Sequence, residues 1–131
     1  MPSRFATINR NIRLDFNHRV YFTRDSFSPT NETLADILQP KRKGQPTKAI
    51  VYIDEGLLDS IPNLPKQIES YFRSREDRLD LVCSPKFSSG GEPAKNNFDY
   101  IEQIWSDLNE HAMCRHSYVI VIGGGAALDM V

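Results

Sequence analysis

The residues with the clearest chemical potential are glycines and carboxylates that follow predicted strands. Three consecutive glycines, Gly123–Gly125, come directly after the apolar run 118–122, and Asp129 follows four residues later. A buried strand, a glycine turn and a helix start suit a nucleotide phosphate, because glycine lets backbone N–H groups approach an anion. The motif is neither a Walker loop nor the Gly-x-Gly-x-x-Gly fingerprint. The glycines also suit a plain turn, and Asp129 also suits the first turn of a helix.

A second carboxylate, Asp54, ends the apolar run Ala49–Ile53. In open α/β sheets the carboxyl ends of the strands form the ligand crevice, where a carboxylate can accept both hydroxyl protons of a ribose. The same position allows Asp54 to cap a following helix, and the spacing leaves both interpretations open.

A third candidate is the segment Gly90-Gly91-Glu92-Pro93-Ala94-Lys95. Glu92 and Lys95 are three residues apart, so both side chains can point to one side of a helix start. A surface ion pair is one interpretation. Because flexible glycines precede this acid and base, binding of a polyhydroxyl ligand is the other.

Metal-ligating and catalytic residues are not predicted within this chain. The three histidines, His18, His111 and His116, lack the spacing of metal ligands. The sequence also has no evident Ser-His-Asp or Cys-His arrangement.

The hydrophobic pattern predicts an α/β fold with an open parallel sheet, helices on both faces and an N-terminal β-hairpin. The predicted hairpin pairs 12–16 with 20–23. The predicted later elements are a helix capped by Thr30 or Asn31 and ending before Pro40, strands at 49–53, 79–83 and 118–122, and helices at 64–75 and 93–111. We therefore divide the chain into a hairpin region, 1–30, and an α/β core, 31–131.

Composition limits the classes of partner and compartment. With 131 residues the chain suits one domain, and a net charge of −1 gives no reason to expect nucleic acid binding. The sequence has no apolar run long enough to span a membrane and no signal peptide. Cys83 and Cys114 lack CxxC spacing, so we expect reduced thiols and a cytoplasmic protein. The hairpin could add to the sheet edge of a second copy, which predicts a homodimer.

Taken together, three motifs resemble the NAD-binding domain of 3-dehydroquinate synthase and its relatives, the sugar phosphate cyclases. They are Asp54, Gly91-Glu92-x-x-Lys95 and Gly123-Gly-Gly-x-x-x-Asp129, and their order and separation both match. The resemblance covers residues 45–131. The chain is most similar to the EboD-type branch of this family, because of the motif Gly-Gly-Gly-Ala-Ala-Leu-Asp and the insert Asp-Glu-Gly-Leu-Leu.

The resemblance implies a Rossmann-like NAD-binding domain of a lyase, which cyclises a seven-carbon sugar phosphate with elimination of phosphate. It implies that Asp54 binds the adenosine ribose, and that Glu92 and Lys95, after Gly91, hold the nicotinamide ribose. It also implies that the amides of Gly124, Gly125 and Ala126 bind the pyrophosphate, with Asp129 nearby.

Two departures from the family pattern limit what this chain can do. Leu128 stands where the family has glycine before the aspartate. The family's zinc or cobalt ligands and its phosphate-binding basic residues have no counterpart before Val131, and a helix begun at Ala126 has no room for two turns. We therefore expect the N-terminal part of an incomplete NAD-binding domain, without its metal and substrate domain and inactive alone.

Two other interpretations remain open. Iron- or zinc-dependent polyol and alcohol dehydrogenases have a similar fold and their own strand-Gly-Gly-Gly-x-x-x-Asp motif, although Gly91-Glu92-x-x-Lys95 favours the cyclases. The third interpretation is a non-catalytic α/β module that binds a nucleotide or a partner, with the glycines as a structural turn.

Overall fold

The computed structural model describes residues 6–40, 42–88 and 98–131, which form a mixed α/β fold around a small open sheet. In chain order the elements are α1 (Thr33–Ile37), β1 (Thr47–Asp54), a 3-10 turn (Glu55–Leu57), α2 (Leu64–Arg73), β2 (Leu79–Leu81), β3 (Lys86–Ser88), α3 (Phe98–Glu110), β4 (Tyr118–Ile122) and α4 (Gly125–Met130). The predicted strand at 118–122 has the predicted bounds, and the predicted strand at 49–53 lies within β1.

β1 is the centre of the sheet, because β2, β3 and β4 all pair with it in parallel. Along one edge, Ala49–Ile53 pairs with the whole of β4. Since a strand has only two edges, β2 and β3 share the other one: Thr47–Ala49 pairs with β2, and Tyr52–Asp54 pairs with β3. β2 and β3 therefore act as one interrupted strand beside β1.

Each face of the sheet buries its own hydrophobic cluster, because successive side chains of β1 point to opposite faces. Val51 and Ile53 pack against residues of α1 and α2, whereas Ile50 and Tyr52 pack against α3 on the other face. All residues from Ala49 to Ile53 are at most 1% exposed. A strand covered on both faces has to be continuously apolar, so the prediction of helices on both faces is confirmed.

Polar side chains tie α1 to α2. The Tyr71 hydroxyl donates to the carbonyl of Asn31 (2.8 Å) and accepts the N–H of Ala35 (3.1 Å). The buried Arg75 guanidinium lies 3.8 Å from the centre of the Tyr71 ring and pairs with Glu32. Asn31 also accepts the N–H of Thr33 through Oδ1 (3.0 Å). The N-cap residue itself is Glu32, one position after the predicted Asn31.

α3 ends in a backbone motif that turns the chain toward β4. Ala112 lies in the left-handed region (φ 49°). Its N–H donates to the carbonyl of Asn109 (3.1 Å), and the N–H of Met113 donates to the carbonyl of Leu108 (2.9 Å). These two bonds satisfy carbonyls that the end of a helix would otherwise leave without partners.

The prediction of an N-terminal β-hairpin is wrong. No strand occurs in the described residues before β1, and residues 6–25 are all exposed, including Phe16 at 87% and Phe22 at 98%. A two-stranded hairpin is marginally stable in water unless its apolar face packs against other elements. This segment has β propensity and alternation, but the described residues provide no such cover.

The predicted strand at 79–83 is shorter than expected, and a further strand was missed. β2 ends at Leu81, and pairing with β1 resumes at Lys86. Pro85 lies between them and has no N–H to donate to a ladder, which accounts for a break at this point.

The apolar stripe of α3 is only partly buried. Ile104 is 4% exposed, whereas Phe98 and Trp105 are both 60% exposed. These two rings contact each other edge to face, with centroids 6.2 Å apart. Of the helix predicted at 93–111, residues 93–97 lie outside the described residues.

Candidate functional site

Three strand ends meet at the carboxyl edge of the sheet, with Asp54 in the middle. Because Ile53 pairs with Ile122, Asp54 and Gly123 are neighbours just beyond that pair. On its other side Asp54 pairs with Ser88, the last residue of β3. The fold thus brings two of the predicted motifs, Asp54 and the glycine turn, side by side.

The strand order reverses at β1. The chain passes from β1 through α2 to β2 and β3 on one side, and then returns through α3 to β4 on the other side. The two crossover helices lie on opposite faces of the sheet. In open α/β sheets this reversal leaves a crevice outside the carboxyl ends of the two strands that flank it, here β1 and β4.

Asp54 caps the turn that follows it. Its Oδ1 accepts the N–H of Gly56 at 2.9 Å, at the start of the 3-10 turn. The capping interpretation is therefore confirmed. Because this bond uses only Oδ1 and the side chain is half-buried, it is compatible with a second acceptor role, and binding of a ribose stays a prediction.

The space around the glycine turn is open. A Cβ placed on Gly124 or Gly125 would meet no atom within 4 Å, and neither residue has a left-handed φ. Neither packing nor backbone conformation within the described residues thus requires glycine here. The absence of side chains leaves room for another group to approach the backbone, and binding of a pyrophosphate stays a prediction.

The same turn starts α4. The carbonyl of Gly124 accepts the N–H of Leu128 at 3.1 Å. The first N–H groups of a helix have no acceptor within the helix, and in α4 these include the amides of Gly125 and Ala126. They lie at the same carboxyl edge as Asp54.

The two residues that follow have different surroundings. Asp129 is exposed on α4, and its role beside a cofactor stays a prediction. Leu128 lines an apolar groove of about 480 Å³ together with Ile120 and Ile122. A side chain thus occupies the place where the family that this sequence resembles has glycine.

The predicted motif of Gly91, Glu92 and Lys95 lies outside the described residues. Ser88, three positions before Gly91, is described and is paired with Asp54. The strand end that precedes the motif in the sequence therefore lies beside Asp54.

Sequence reasoning missed a buried carboxylate beneath this edge. Asp107 of α3 is 1% exposed. Its Oδ2 accepts the Tyr52 hydroxyl (3.0 Å), and its Oδ1 accepts Lys86 Nζ (2.8 Å) and Gln103 Nε2 (3.0 Å). Burial raises the pKa of Asp107, but these three bonds outweigh burial and hold it below its ordinary value of 3.8.

Asp107 is placed where it can hold the elements of the carboxyl edge together. Tyr52 is two residues before Asp54, and Lys86 is two residues before Ser88, so Asp107 ties β1, β3 and α3 together just below the carboxyl edge. The sequence held a signal for it, because a carboxylate within the apolar stripe of a helix requires a buried partner.

The described residues do not supply the metal site that the resemblance implies. Within 6–40, 42–88 and 98–131, no group of three His, Cys, Asp or Glu side chains could hold a metal ion. We therefore derive no metal chemistry from these side chains. Cys83 and Cys114 are free thiols, and none of the helices in the described ranges is long and apolar enough to cross a membrane.

No family model matches the chain, and neither a curated protein nor a solved structure is significantly similar to it.

Proposed function

We propose that this chain is the dinucleotide-binding part of a 3-dehydroquinate synthase-like sugar phosphate cyclase, with a Rossmann-like NAD site at the carboxyl edge of its sheet. The observation that carries the proposal is the adjacency of Asp54 and the open glycine turn where the strand order reverses. A carboxylate for a ribose and exposed amides for a pyrophosphate are what a dinucleotide requires at such a crevice.

The roles follow from this placement and from the resemblance. Asp54 accepts the hydroxyl protons of the adenosine ribose, and the amides of the glycine turn and Ala126 donate to the pyrophosphate. Glu92 and Lys95 hold the nicotinamide ribose, and Asp129 lies near the pyrophosphate. When bound, NAD supplies a reversible hydride acceptor for a substrate carbinol, and the residues of this chain bind and orient it.

The affinity of two single variants for NAD tests the site. Both substitutions are chosen to weaken NAD binding without affecting folding. Asp54→Asn keeps a side-chain oxygen that can cap Gly56 but removes the charge that holds two ribose hydroxyls. Gly124→Ala adds a methyl group into open space. Each should weaken NAD binding by about 10- to 100-fold, the range for loss of a charge-assisted hydrogen bond or of close backbone approach. Isothermal titration calorimetry measures the dissociation constants.

Gly44→Ala is the matched control. Gly44 has a φ of 79° and lies in the loop before β1, away from the carboxyl edge. This variant should lose stability and keep its affinity for NAD, the reverse of the two site variants. If Asp54→Asn and Gly124→Ala fold normally and bind NAD as tightly as the unaltered chain, Asp54 is only a cap and the glycines are only a turn.

The cyclase and dehydrogenase alternatives differ in their net chemistry. If the coding sequence continues beyond Val131, the protein that it encodes can be assayed whole. A cyclase releases phosphate from a seven-carbon sugar phosphate without net NADH, whereas a dehydrogenase accumulates NADH with glycerol or another polyol. If NADH accumulates without release of phosphate, the protein is a dehydrogenase and not a cyclase. The proposal of an NAD site would then still stand.

A further inference from the structure

The N-terminal arm, residues 6–24, carries apolar side chains that are exposed. Ile12, Leu14 and Phe16 are 84%, 72% and 87% exposed, and Arg13 and Asp15 lie between them. This two-residue alternation is the pattern of a strand with one face to bury. A run of exposed apolar side chains on a soluble chain marks a surface that another molecule covers.

β4 has an outer edge to which such a strand could add. Its inner edge pairs with β1, and no other strand in the described ranges pairs with it. The segment Val119–Ile122 is apolar, and an unpaired edge of this kind is a template for an added strand. The edge is therefore suited to the alternating segment of the arm.

The end of the arm already passes beside this edge. Tyr21 lines a groove of about 480 Å³ with Ile120 and Ile122, and a second groove of about 670 Å³ with Ile37. These grooves separate the arm from β4, and the apolar segment Ile12–Phe16 precedes them in the chain. Within one copy the arm therefore borders the edge without forming a ladder with it.

Charge favours a second copy of this chain as the occupant. In the arm, four arginines oppose the single carboxylate Asp15, which gives a charge of +3. Since the whole chain carries −1, the rest of it carries −4. The arm of one copy and the body of another are thus complementary in sign, which steers and orients their association.

We propose that two copies of this chain associate by exchanging arms, with Ile12–Phe16 of one copy adding a strand to the outer edge of β4 in the other. The two-fold symmetric exchange forms two equal ladders. It covers Ile12, Leu14 and Phe16 against the apolar groove of about 480 Å³ beside β4, and it removes the exposed edge.

The test compares two double variants by sedimentation velocity over a wide range of concentrations. Leu14→Glu with Phe16→Glu places charges on the apolar face of the arm, and should raise the dissociation constant of the dimer by about 100-fold. Asn9→Glu with Asn11→Glu makes the same change in charge on polar positions of the arm, and should raise it by less than about tenfold. All four positions are exposed, so each variant should fold as the unaltered chain does.

Amide hydrogen exchange identifies the surface that pairs. In the dimer the outward amides of Val119–Ile122 should exchange more slowly, and Leu14→Glu with Phe16→Glu should abolish that protection. A chain that stays monomeric at every concentration overturns the proposal, as does protection of β4 in a monomer, which means that the arm pairs within its own copy. If the dimer tolerates Leu14→Glu with Phe16→Glu, the arm has no role in association. If the chain is monomeric and its arm binds anionic vesicles, the arm covers itself on a lipid surface, and the proposal is overturned.

Discussion

At the scale of single residues, two carboxylates near the carboxyl edge have opposite surroundings. Asp54 is half-buried and caps a turn with one oxygen. Asp107 is buried, and both of its oxygens accept bonds from side chains of β1, β3 and α3. The buried carboxylate thus fixes the strands that form the edge at which we propose that a ligand binds.

Asp107→Asn tests this role through pH. The bonds to Asp107 hold its pKa below the ordinary value of 3.8. The ionised carboxylate therefore stabilises the fold at any pH above the pKa that Asp107 has in the unfolded chain. This contribution is lost as the pH falls below about 4 and through the folded pKa. At pH 7 the variant should lose about 2 kcal/mol of unfolding free energy, since charge-assisted bonds weaken. In strong acid the difference should shrink, as urea unfolding at each pH would measure.

Asp99→Asn is the control for this experiment. Asp99 lies on the same helix but is exposed, and its substitution should change the free energy of unfolding by less than about 0.5 kcal/mol. An equal loss in Asp107→Asn at neutral and acid pH would contradict the linkage to ionisation.

At the scale of elements, α1 depends on α2. With five residues α1 is too short to be stable alone. The N–H of Ala35, one of the amides that a helix start leaves without an acceptor, bonds to the Tyr71 hydroxyl of α2. Arg75 of the same region pairs with Glu32 and covers the Tyr71 ring. The side chains of α2 therefore complete the start of α1.

Tyr71→Phe should loosen α1 while the sheet stays intact. The change removes an acceptor from a buried N–H and a donor from the carbonyl of Asn31, at a cost of about 1 to 3 kcal/mol. Tyr71→Phe should accelerate hydrogen exchange at Ala35 more than it accelerates exchange at β1 amides such as Val51. Tyr21→Phe, at a ring that is 51% exposed, should leave exchange unchanged. Equal acceleration in α1 and β1 would show that α1 does not open by itself.

At the scale of the whole molecule, β1 joins the two hydrophobic clusters. Ile53 packs in the cluster that contains Ile68 of α2, and Ile50 packs in the cluster that contains Ile104 of α3. Because both clusters share the backbone of one central strand, the described body should unfold in a single cooperative step.

Ile68→Ala tests this coupling. Ile68 is fully buried, and the cavity that the change leaves should cost about 3 kcal/mol. Trp105 lies on α3, on the opposite face of the sheet, so its fluorescence reports the other half of the molecule. The denaturation midpoint should fall equally by Trp105 fluorescence and by far-UV circular dichroism. Ile61→Ala, at a position 43% exposed, should shift neither probe appreciably, and two separate transitions in Ile68→Ala would contradict cooperativity.

The parts of the fold that were predictable carry a strong local pattern. The continuous apolar runs of β1 and β4 and the amphipathic face of α2 all follow from burial of side chains close together in the chain. β3 was not predictable, because three residues after a proline carry little pattern. The contact of Asp107 with Tyr52 also joins residues far apart in the chain, and their spacing gives no direct sign of it.

By itself the sequence determined the α/β class with its parallel sheet, and it indicated the residues for which we propose nucleotide binding, because both depend on local patterns of residue type. Only the tertiary structure decided that Asp54 and the glycine turn are neighbours, since this depends on which edge of β1 receives β4. It also decided that the alternating N-terminal segment forms no hairpin. A strand pattern becomes a strand only where another surface covers its apolar face.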